Sequence, residues 1–258
     1  MKKPEPINSI NKVETLTNTY KYINNDTTIY EVQENEVLTI IDVIDTDYEF
    51  IRELKVNDNA TLNYIKIGKS KNSSSIKYIN NIGKNATLNI AFFESENSKN
   101  TVETKLTNSN SSLNINALID LKDDAKVEYN VLTNHQNKSF SDIKFRNLLG
   151  GKSSAKLNMF SIVEETASFS KAFQNSQTIL LSDDSFISVT PHLEILIDEL
   201  EASHGATCGD LDKDSIYYLQ SRGISEDDAK KIVLDAIRDE VVASVKNEQL
   251  SEYIKGLL

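Results

Sequence analysis

The sequence predicts a mainly β protein, a solenoid or β-helix, followed by a small C-terminal α-helical domain. Three observations carry this prediction: apolar and polar residues alternate upstream of Glu199, a short unit repeats through the same region, and helical spacing replaces the alternation after Gly209. Successive residues of a strand point to opposite faces, whereas an α-helix brings together residues three and four apart. The change of period therefore divides the chain into two structural parts.

The alternation begins close to residue 27. The stretch TIYEV starts at Thr28 and VLTIIDV starts at Val37. Both are rich in β-branched residues, which favours strands. We therefore expect a polar N-terminal segment over residues 1–26 and a β-helix core over residues 27–205.

A unit recurs along this core, in which a polar turn pair and a small residue precede an apolar–polar–apolar strand. The small residue falls at positions 60, 86, 112, 125, 155 and 185, so the intervals are 26, 26, 13, 30 and 30 residues. Such spacing is typical of a solenoid, whose stacked coils bury faces that a single coil leaves open. Asn and Ser at the corners suit tight turns. The alternative is a twisted β-sandwich, which would impose no such register.

The helical part begins shortly after Gly209. Asp212 is expected to cap a first helix, which Gly223 ends in the left-handed conformation. Ser225 and Asp228 resemble a capping box at the start of a second helix. The apolar stripe of this helix and of a final short helix consists of Ala229, Ile232, Val233, Ala236, Ile237, Val241, Ser244, Val245, Leu250, Tyr253, Ile254 and Leu257.

Composition excludes several classes of function. The net charge of −11 argues against a nucleic-acid partner, because phosphate binding needs clustered Lys and Arg. The single cysteine excludes an internal disulfide and fits a reducing compartment. No apolar run follows Lys2 and Lys3, so no signal peptide is expected, and no stretch approaches the ~20 apolar residues of a membrane span. A soluble cytoplasmic protein is expected.

The junction between the two parts contains the best soft-metal ligands of the chain, His204 and Cys208. Imidazole and thiolate both bind iron. The two side chains would share one face of a helical turn, although Gly205 and Gly209 argue against a continuous helix there. The ordinary alternatives are a turn hydrogen bond for His204 and a small buried hydrophobe for Cys208.

Other candidates near the junction are weaker. Glu194 is the best of several carboxylates that would assist ferrous iron, and a solvated face is the alternative. His192 is a candidate for the same surface as His204. His135 lies in a polar loop and is expected to be solvated.

Several motifs stand in order along the chain: PHLEI at 191–195, SHGAT at 203–207, GDLD at 209–212 and YLQSRGI at 218–224. Together they resemble the C-terminal signature of the SufB/SufD family of iron–sulfur cluster assembly proteins. The similarity covers about residues 146–242.

This resemblance implies a right-handed parallel β-helix that dimerises through its β-helix, and a helical domain over 206–258 that docks a SufC-like ABC ATPase. ATP hydrolysis would belong to that partner, and no G-x-x-x-x-G-K-[ST] phosphate loop occurs in this chain. We therefore expect a non-catalytic subunit without a firmly bound cofactor, and iron or an iron–sulfur cluster held transiently at the dimer interface by His204. The implied docking residues are Tyr217, Tyr218, Leu219, Arg222 and Ile224.

The same helix offers a simpler alternative, in which its apolar face packs the core of the tail itself. Tyr217 and Leu219 point apart in a helix, so one face is expected to serve each purpose.

Ser203 and Gly205 flank the matched histidine where the SufB branch has acidic residues, which favours a SufD-like or minimal single-core member. The N-terminal helical region of longer members is expected to be reduced or absent. The partner would be a SufB-like paralogue or a second copy, and in the second case the chain would be the sole scaffold for the nascent cluster. A structural or carbohydrate-binding β-solenoid is a more remote alternative, since the chain has no Trp.

Overall fold

A computed structural model describes residues 18–23, 28–45, 49–71, 73–245 and 247–256. Within them, strands precede three helices, as the change of period predicts. The strands are β1 (Asn18–Ile23), β2 (Thr28–Val32), β3 (Val37–Ile44), β4 (Glu49–Val56), β5 (Thr61–Gly68), β6 (Ser74–Ile82), β7 (Thr87–Glu94), β8 (Ser98–Leu106), β9 (Ser111–Leu121), β10 (Lys126–His135), β11 (Ser139–Leu149), β12 (Ser154–Val163), β13 (Lys171–Leu180), β14 (Phe186–Ile195) and β15 (Glu201–Gly209). The helices are α1 (Lys213–Ser221), α2 (Glu226–Ala243) and α3 (Glu248–Lys255).

The strands form two stacked sheets. Odd-numbered strands make an eight-stranded sheet in the order β1 to β15, called here the odd sheet, and even-numbered strands make a seven-stranded even sheet from β2 to β14. Every pairing between neighbours is parallel. Each coil thus adds one strand to each sheet. The fold is the predicted parallel β-helix, and the β-sandwich alternative, which is antiparallel, is wrong.

The register of the coils corrects two positions of the repeat. Thr61 pairs with Thr87, which in turn pairs with Ser112, so the position equivalent to Ala86 is Ser111 rather than Ser112. Ser154 pairs with Lys126 and with Phe186, so the position equivalent to Ala125 and Ser185 is Ser153 rather than Ala155. Positions 60 and 86 precede strands of the odd sheet and 111 begins one, whereas 125, 153 and 185 precede strands of the even sheet. The short interval in the repeat is therefore the half-coil step from one sheet to the other.

Asparagines at the corners stack from coil to coil. Asn59, Asn85 and Asn110 have φ angles of 56°, 53° and 58°, in the left-handed region that Asn tolerates better than most residues. Asn110 Nδ2 donates to Asn85 Oδ1 at 3.0 Å, and Asn85 Nδ2 donates to Asn59 Oδ1 at 3.2 Å. The corner position predicted for Asn is confirmed by these φ angles, and the amides also hydrogen-bond to one another across successive coils.

The core between the sheets is apolar and aromatic, and it contains two buried ion pairs. A column of ring contacts runs through Tyr64, Tyr78, Phe92, Tyr129 and Phe145 with centroids 5.2–5.7 Å apart. In the early coils, Arg52 Nε bonds to Asp42 at 2.8 Å and Lys66 Nζ bonds to Glu94 at 2.5 Å, with all four side chains fully buried. Burial without a counter-charge would be unfavourable for each group, so within each pair the burial of one side chain depends on the presence of the other.

The helix boundaries follow the predicted caps. The Asp212 carboxylate accepts from the backbone N–H groups of Asp214 and Ser215, each at 3.2 Å, and Gly223 ends α1 with a φ of +88°. Ser225 Oγ accepts from Asp228 N at 3.2 Å at the start of α2. These local predictions are confirmed, although Leu257 lies outside the described residues.

The C-terminal half of the tail packs on the solenoid, whereas α1 packs on the first half of α2 with Ile216 and Ala229 buried. The outer face of the odd sheet is apolar, like its inner face. It is covered by α3 and by the second half of α2. This outer cluster contains the buried residues Ile41, Val43, Ile65, Ile67, Ala91, Phe93, Leu118 and Leu148 of the sheet and Val241, Val242, Leu250 and Ile254 of the helices. β15 also continues to Gly209, past the boundary expected at residue 205.

Candidate functional site

The strands β14 and β15 form the open end of the solenoid. Each is the last strand of its sheet, so each pairs on one side only within the described chain. Most residues of β15 are exposed, and large apolar side chains are exposed around it, including Phe186 (62%) and Leu196 (47%). A free strand edge beside exposed apolar side chains is a ready surface for pairing with another chain.

His204 and Cys208 lie on the same face of β15. This face continues the rows of paired side chains that are directed into the core in the earlier coils, called here the inner rows. Their Cα partners on β13 are Gln174 and Thr178, and both partners are buried in the core. No further coil of the described chain covers β15, so His204 and Cys208 are exposed. They belong to a strand and not to a helical turn. Four residues of strand span about 13 Å, so one ion cannot bind both side chains of one chain.

The structure does not bring Glu194 to the face of His204. The Cα partner of Glu194 on β12 is Ile162, which faces outward, whereas its neighbour Ser161 is fully buried. Glu194 therefore lies on the outer face of the even sheet. His192 lies on that outer face too, with its ring stacked on Phe160 at 4.4 Å. The candidate position of His192 on the surface of His204 is therefore wrong.

The core becomes polar beneath the open end. In the inner row that ends at His204, Ile115 and Ile143 of the earlier coils are followed by Gln174. In the row that ends at Cys208, Asn147 precedes Thr178, and Asn147 Nδ2 donates to Thr178 Oγ1 at 2.9 Å. Sequence reasoning missed this change, although polar residues replace apolar ones at alternate positions of AFQNSQT.

His135 is buried and not solvated, which corrects the sequence expectation. It is the last residue of β10, and its ring nitrogens lie 2.8 Å from Ser139 Oγ and 2.8 Å from Ser141 Oγ. Burial lowers the pKa of His135 to about 4, so the ring is neutral at physiological pH. The loop that follows turns back into β11, and this return places both serines around the ring.

A groove with a volume of about 610 Å³ lies between α1 and α2. Tyr218 and Leu219 line it, whereas Tyr217 is 74% exposed and lies outside the groove. Arg222 and Ile224 do not line the groove either. Arg222 donates to the Tyr218 hydroxyl at 2.7 Å, and the half-buried Ile224 bonds through its N–H to the Leu219 carbonyl. The remaining groove residues are Asp212, Asp214, Ser215, Ile232, Val233, Ala236, Ile237 and Glu240. The groove lining is thus mainly apolar, and it includes three exposed carboxylates, Asp212, Asp214 and Glu240, called here the rim carboxylates.

The described residues lack two features, a preformed metal site and a membrane-spanning helix. No group of three or more His, Cys, Asp or Glu side chains is placed to hold a metal ion within those residues. Among the described helices, none combines the length and apolarity that crossing a bilayer requires.

Comparison with known proteins gives a consistent result. The profile of the SUF system FeS cluster assembly SufBD core domain matches residues 16–237. The chain is 27% identical over 158 residues to the iron–sulfur cluster assembly protein SufD of Escherichia coli, covering 60% of this chain and 37% of that protein. It is 33% identical over 84 residues to a SufBD family protein of Synechocystis, covering 33% and 18% of the two chains. The chain thus spans well under half the length of these curated relatives.

Proposed function

Because the chain belongs to the SufBD core-domain family of the SUF system, which assembles iron–sulfur clusters, we propose that it is a non-catalytic core subunit of an assembly complex. The observation that carries the proposal is the position of His204 and Cys208 on the inner rows of β15, at the open end. An imidazole and a thiolate there would hold iron or a nascent cluster as cargo. We place this complex in the cytoplasm.

A second subunit would complete the site. Iron in clusters takes several protein ligands, and the two candidates of one chain are about 13 Å apart along the strand. A partner that meets the same open end would add its own ligands opposite them. The partner is a SufB-like paralogue or a second copy of this chain, and in the second case the homodimer is the scaffold.

The groove between α1 and α2 would dock the SufC-like ABC ATPase, which performs the ATP hydrolysis. Helix surfaces commonly recognise partners through apolar anchors in a groove. The rim carboxylates Asp212, Asp214 and Glu240 favour a partner surface with an apolar side chain flanked by Lys or Arg. Arg222 orders the groove wall through its stacking on Tyr218, with the guanidinium carbon 4.9 Å from the ring centre.

Docking is tested by Ile232→Glu, which places a charge in the groove. Ile232 is 46% exposed, so the change leaves the core intact. We expect pull-down of the co-expressed ATPase to be lost, while Ile29→Glu, at a 57% exposed residue on β2, retains it. Equal binding by both variants would refute the docking surface. Deleting residues 211–258 is a poorer test, because it would uncover the outer cluster of the odd sheet.

Dimerisation is tested by Phe186→Asp at the open end, with Ile51→Asp on β4 as the matched exposed control. Light scattering after gel filtration should show a monomer for the first variant and the wild-type dimer for the second. Co-expression with a longer relative distinguishes the heterodimer from the homodimer. A dimer that survives Phe186→Asp and also Leu196→Asp would rule out the open end as the interface.

A further inference from the structure

The Gln174 carboxamide spans the core beneath the open end in a single orientation. Its Nε2 donates to Ser161 Oγ at 2.7 Å and to the His192 carbonyl oxygen at 3.3 Å. A carbonyl oxygen only accepts hydrogen bonds, so the nitrogen must face His192 and Oε1 must face away. Gln174 is 2% exposed, and its Oε1 has no hydrogen-bond partner among the described residues. A buried acceptor without a donor is unfavourable.

Of the two residues that pair with Gln174 across the odd sheet, one offers a donor to that oxygen. The Cα partner of Gln174 on β11 is Ile143, whose side chain has no N–H or O–H. Its Cα partner on β15 is His204, whose side chain lies on the same face. Adjacent strands are about 4.8 Å apart, which is within reach of an amide oxygen and a ring N–H. Within the described residues the ring of His204 has no hydrogen-bond partner, so its N–H is available.

We propose that Gln174 is a positioning residue for His204, with Oε1 accepting the N–H of one ring nitrogen. This bond would fix the tautomer and the orientation of the ring, and it would leave the lone pair of the other nitrogen directed to the open end. Metal-binding histidines generally donate their second ring N–H to such an acceptor. The inference rests on the proposed function for the metal, but the bond between the two side chains does not depend on it.

The bond is tested by nuclear magnetic resonance of the full chain labelled with ¹⁵N-histidine, at about pH 9, where an ordinary histidine is neutral. His204→Ala identifies the signals. We expect one tautomer of His204 in the wild type and a mixture in Gln174→Met, which keeps the length of the side chain and removes the acceptor. Gln174→Glu retains an acceptor oxygen and should keep the wild-type tautomer. Gln177→Met, an exposed residue of the same strand, is the matched control and should also keep it.

A wild-type mixture, or a Gln174→Met spectrum identical to that of the wild type, would overturn the inference. If Gln174→Met fails to fold, Gln174→Asn replaces it, because the shorter amide cannot reach both strands and should give the same mixture.

Binding of Co²⁺, used as a probe for ferrous iron, separates this inference from the proposed function. We expect His204→Ala and Gln174→Met each to weaken Co²⁺ binding about tenfold or more. Unchanged Co²⁺ binding by His204→Ala would contradict the metal role and leave the tautomer result standing. Weakened binding by His204→Ala together with an unaltered tautomer in Gln174→Met would contradict the positioning role alone.

Discussion

Arg238 Nε on α2 donates a hydrogen bond to Asp120 Oδ2 on β9 at 2.7 Å, and this ion pair joins the helical tail to the outer face of the odd sheet. Arg146 on β11 reaches Glu240 of α2 at 2.9 Å in the same region. The apolar contact of Val242 and its neighbours with the sheet lies beside these pairs. Charge and apolar burial together therefore set the position of α2, and with it one wall of the groove.

Arg238→Gln should loosen the tail without unfolding the solenoid. The side chains of Arg238 and Asp120 are 25% and 18% exposed, so solvent screens the pair and we expect a loss of about 1 kcal/mol in the free energy of unfolding. Hydrogen exchange of the α2 amides should accelerate. Lys230→Gln removes an exposed ion pair to Glu226 on the same helix and serves as the control. Equal exchange rates in the two variants would show that the ion pair does not hold the helix.

Lys66→Met should be much more destabilising than its size suggests. It leaves Glu94 buried without its counter-charge, and only the hydroxyl of Tyr129 and the amide of Asn100 remain as donors. We expect a loss of about 3–5 kcal/mol in urea unfolding, and most of it should return in the double variant Lys66→Met/Glu94→Leu. If the double variant is as unstable as Lys66→Met, the loss of stability does not come from the unpaired charge of Glu94.

His135 should make stability depend on pH between about pH 6.5 and pH 4. The unfolded chain binds a proton near pH 6.5 and the folded chain only near pH 4, so the stability is complete above pH 6.5 and is lost as the pH falls towards 4. The free-energy difference between wild type and His135→Gln should shrink by about 2–3 kcal/mol between about pH 7.5 and pH 4.5. Thr133→Val, a buried change on the same strand that cannot titrate, should differ from wild type equally at both pH values. A constant difference for His135→Gln would mean that water reaches the ring.

His204→Ala should separate assembly from function. The side chain is exposed on β15, so we expect the dimer and the ATPase complex to form as in wild type. The activity of iron–sulfur enzymes in cells that depend on this protein should fall several-fold, because the ligand that we propose for the nascent cluster is lost. His192→Ala on the outer face of the even sheet is the matched control and should leave activity unchanged. Wild-type activity in the His204→Ala strain would remove this residue from the site.

Sequence reasoning predicts those features that depend on a few adjacent residues. Alternation identifies the strands, and Asp212, Gly223 and Ser225 mark the helix ends, because caps and turns satisfy backbone groups within one turn of chain. The stacked corner asparagines follow from the same local chemistry. The ordered motifs between residues 191 and 224 indicate the SufB/SufD family without reference to any tertiary contact.

Only the tertiary structure decided how the two faces of each strand are used. Alternation shows which residues share a face with His204 on β15 and which share a face with Glu194 on β14. It does not show which face of either strand is directed to the core and which to the solvent. The apolar outer face of the odd sheet is buried because α2 and α3 fold back over it. This packing joins residues far apart in sequence, such as Asp120 and Arg238, which are more than a hundred positions apart. The burial of His135 and the position of Ser111 in the repeat depend likewise on which coils meet, and stacking of distant segments, not local sequence, sets that register.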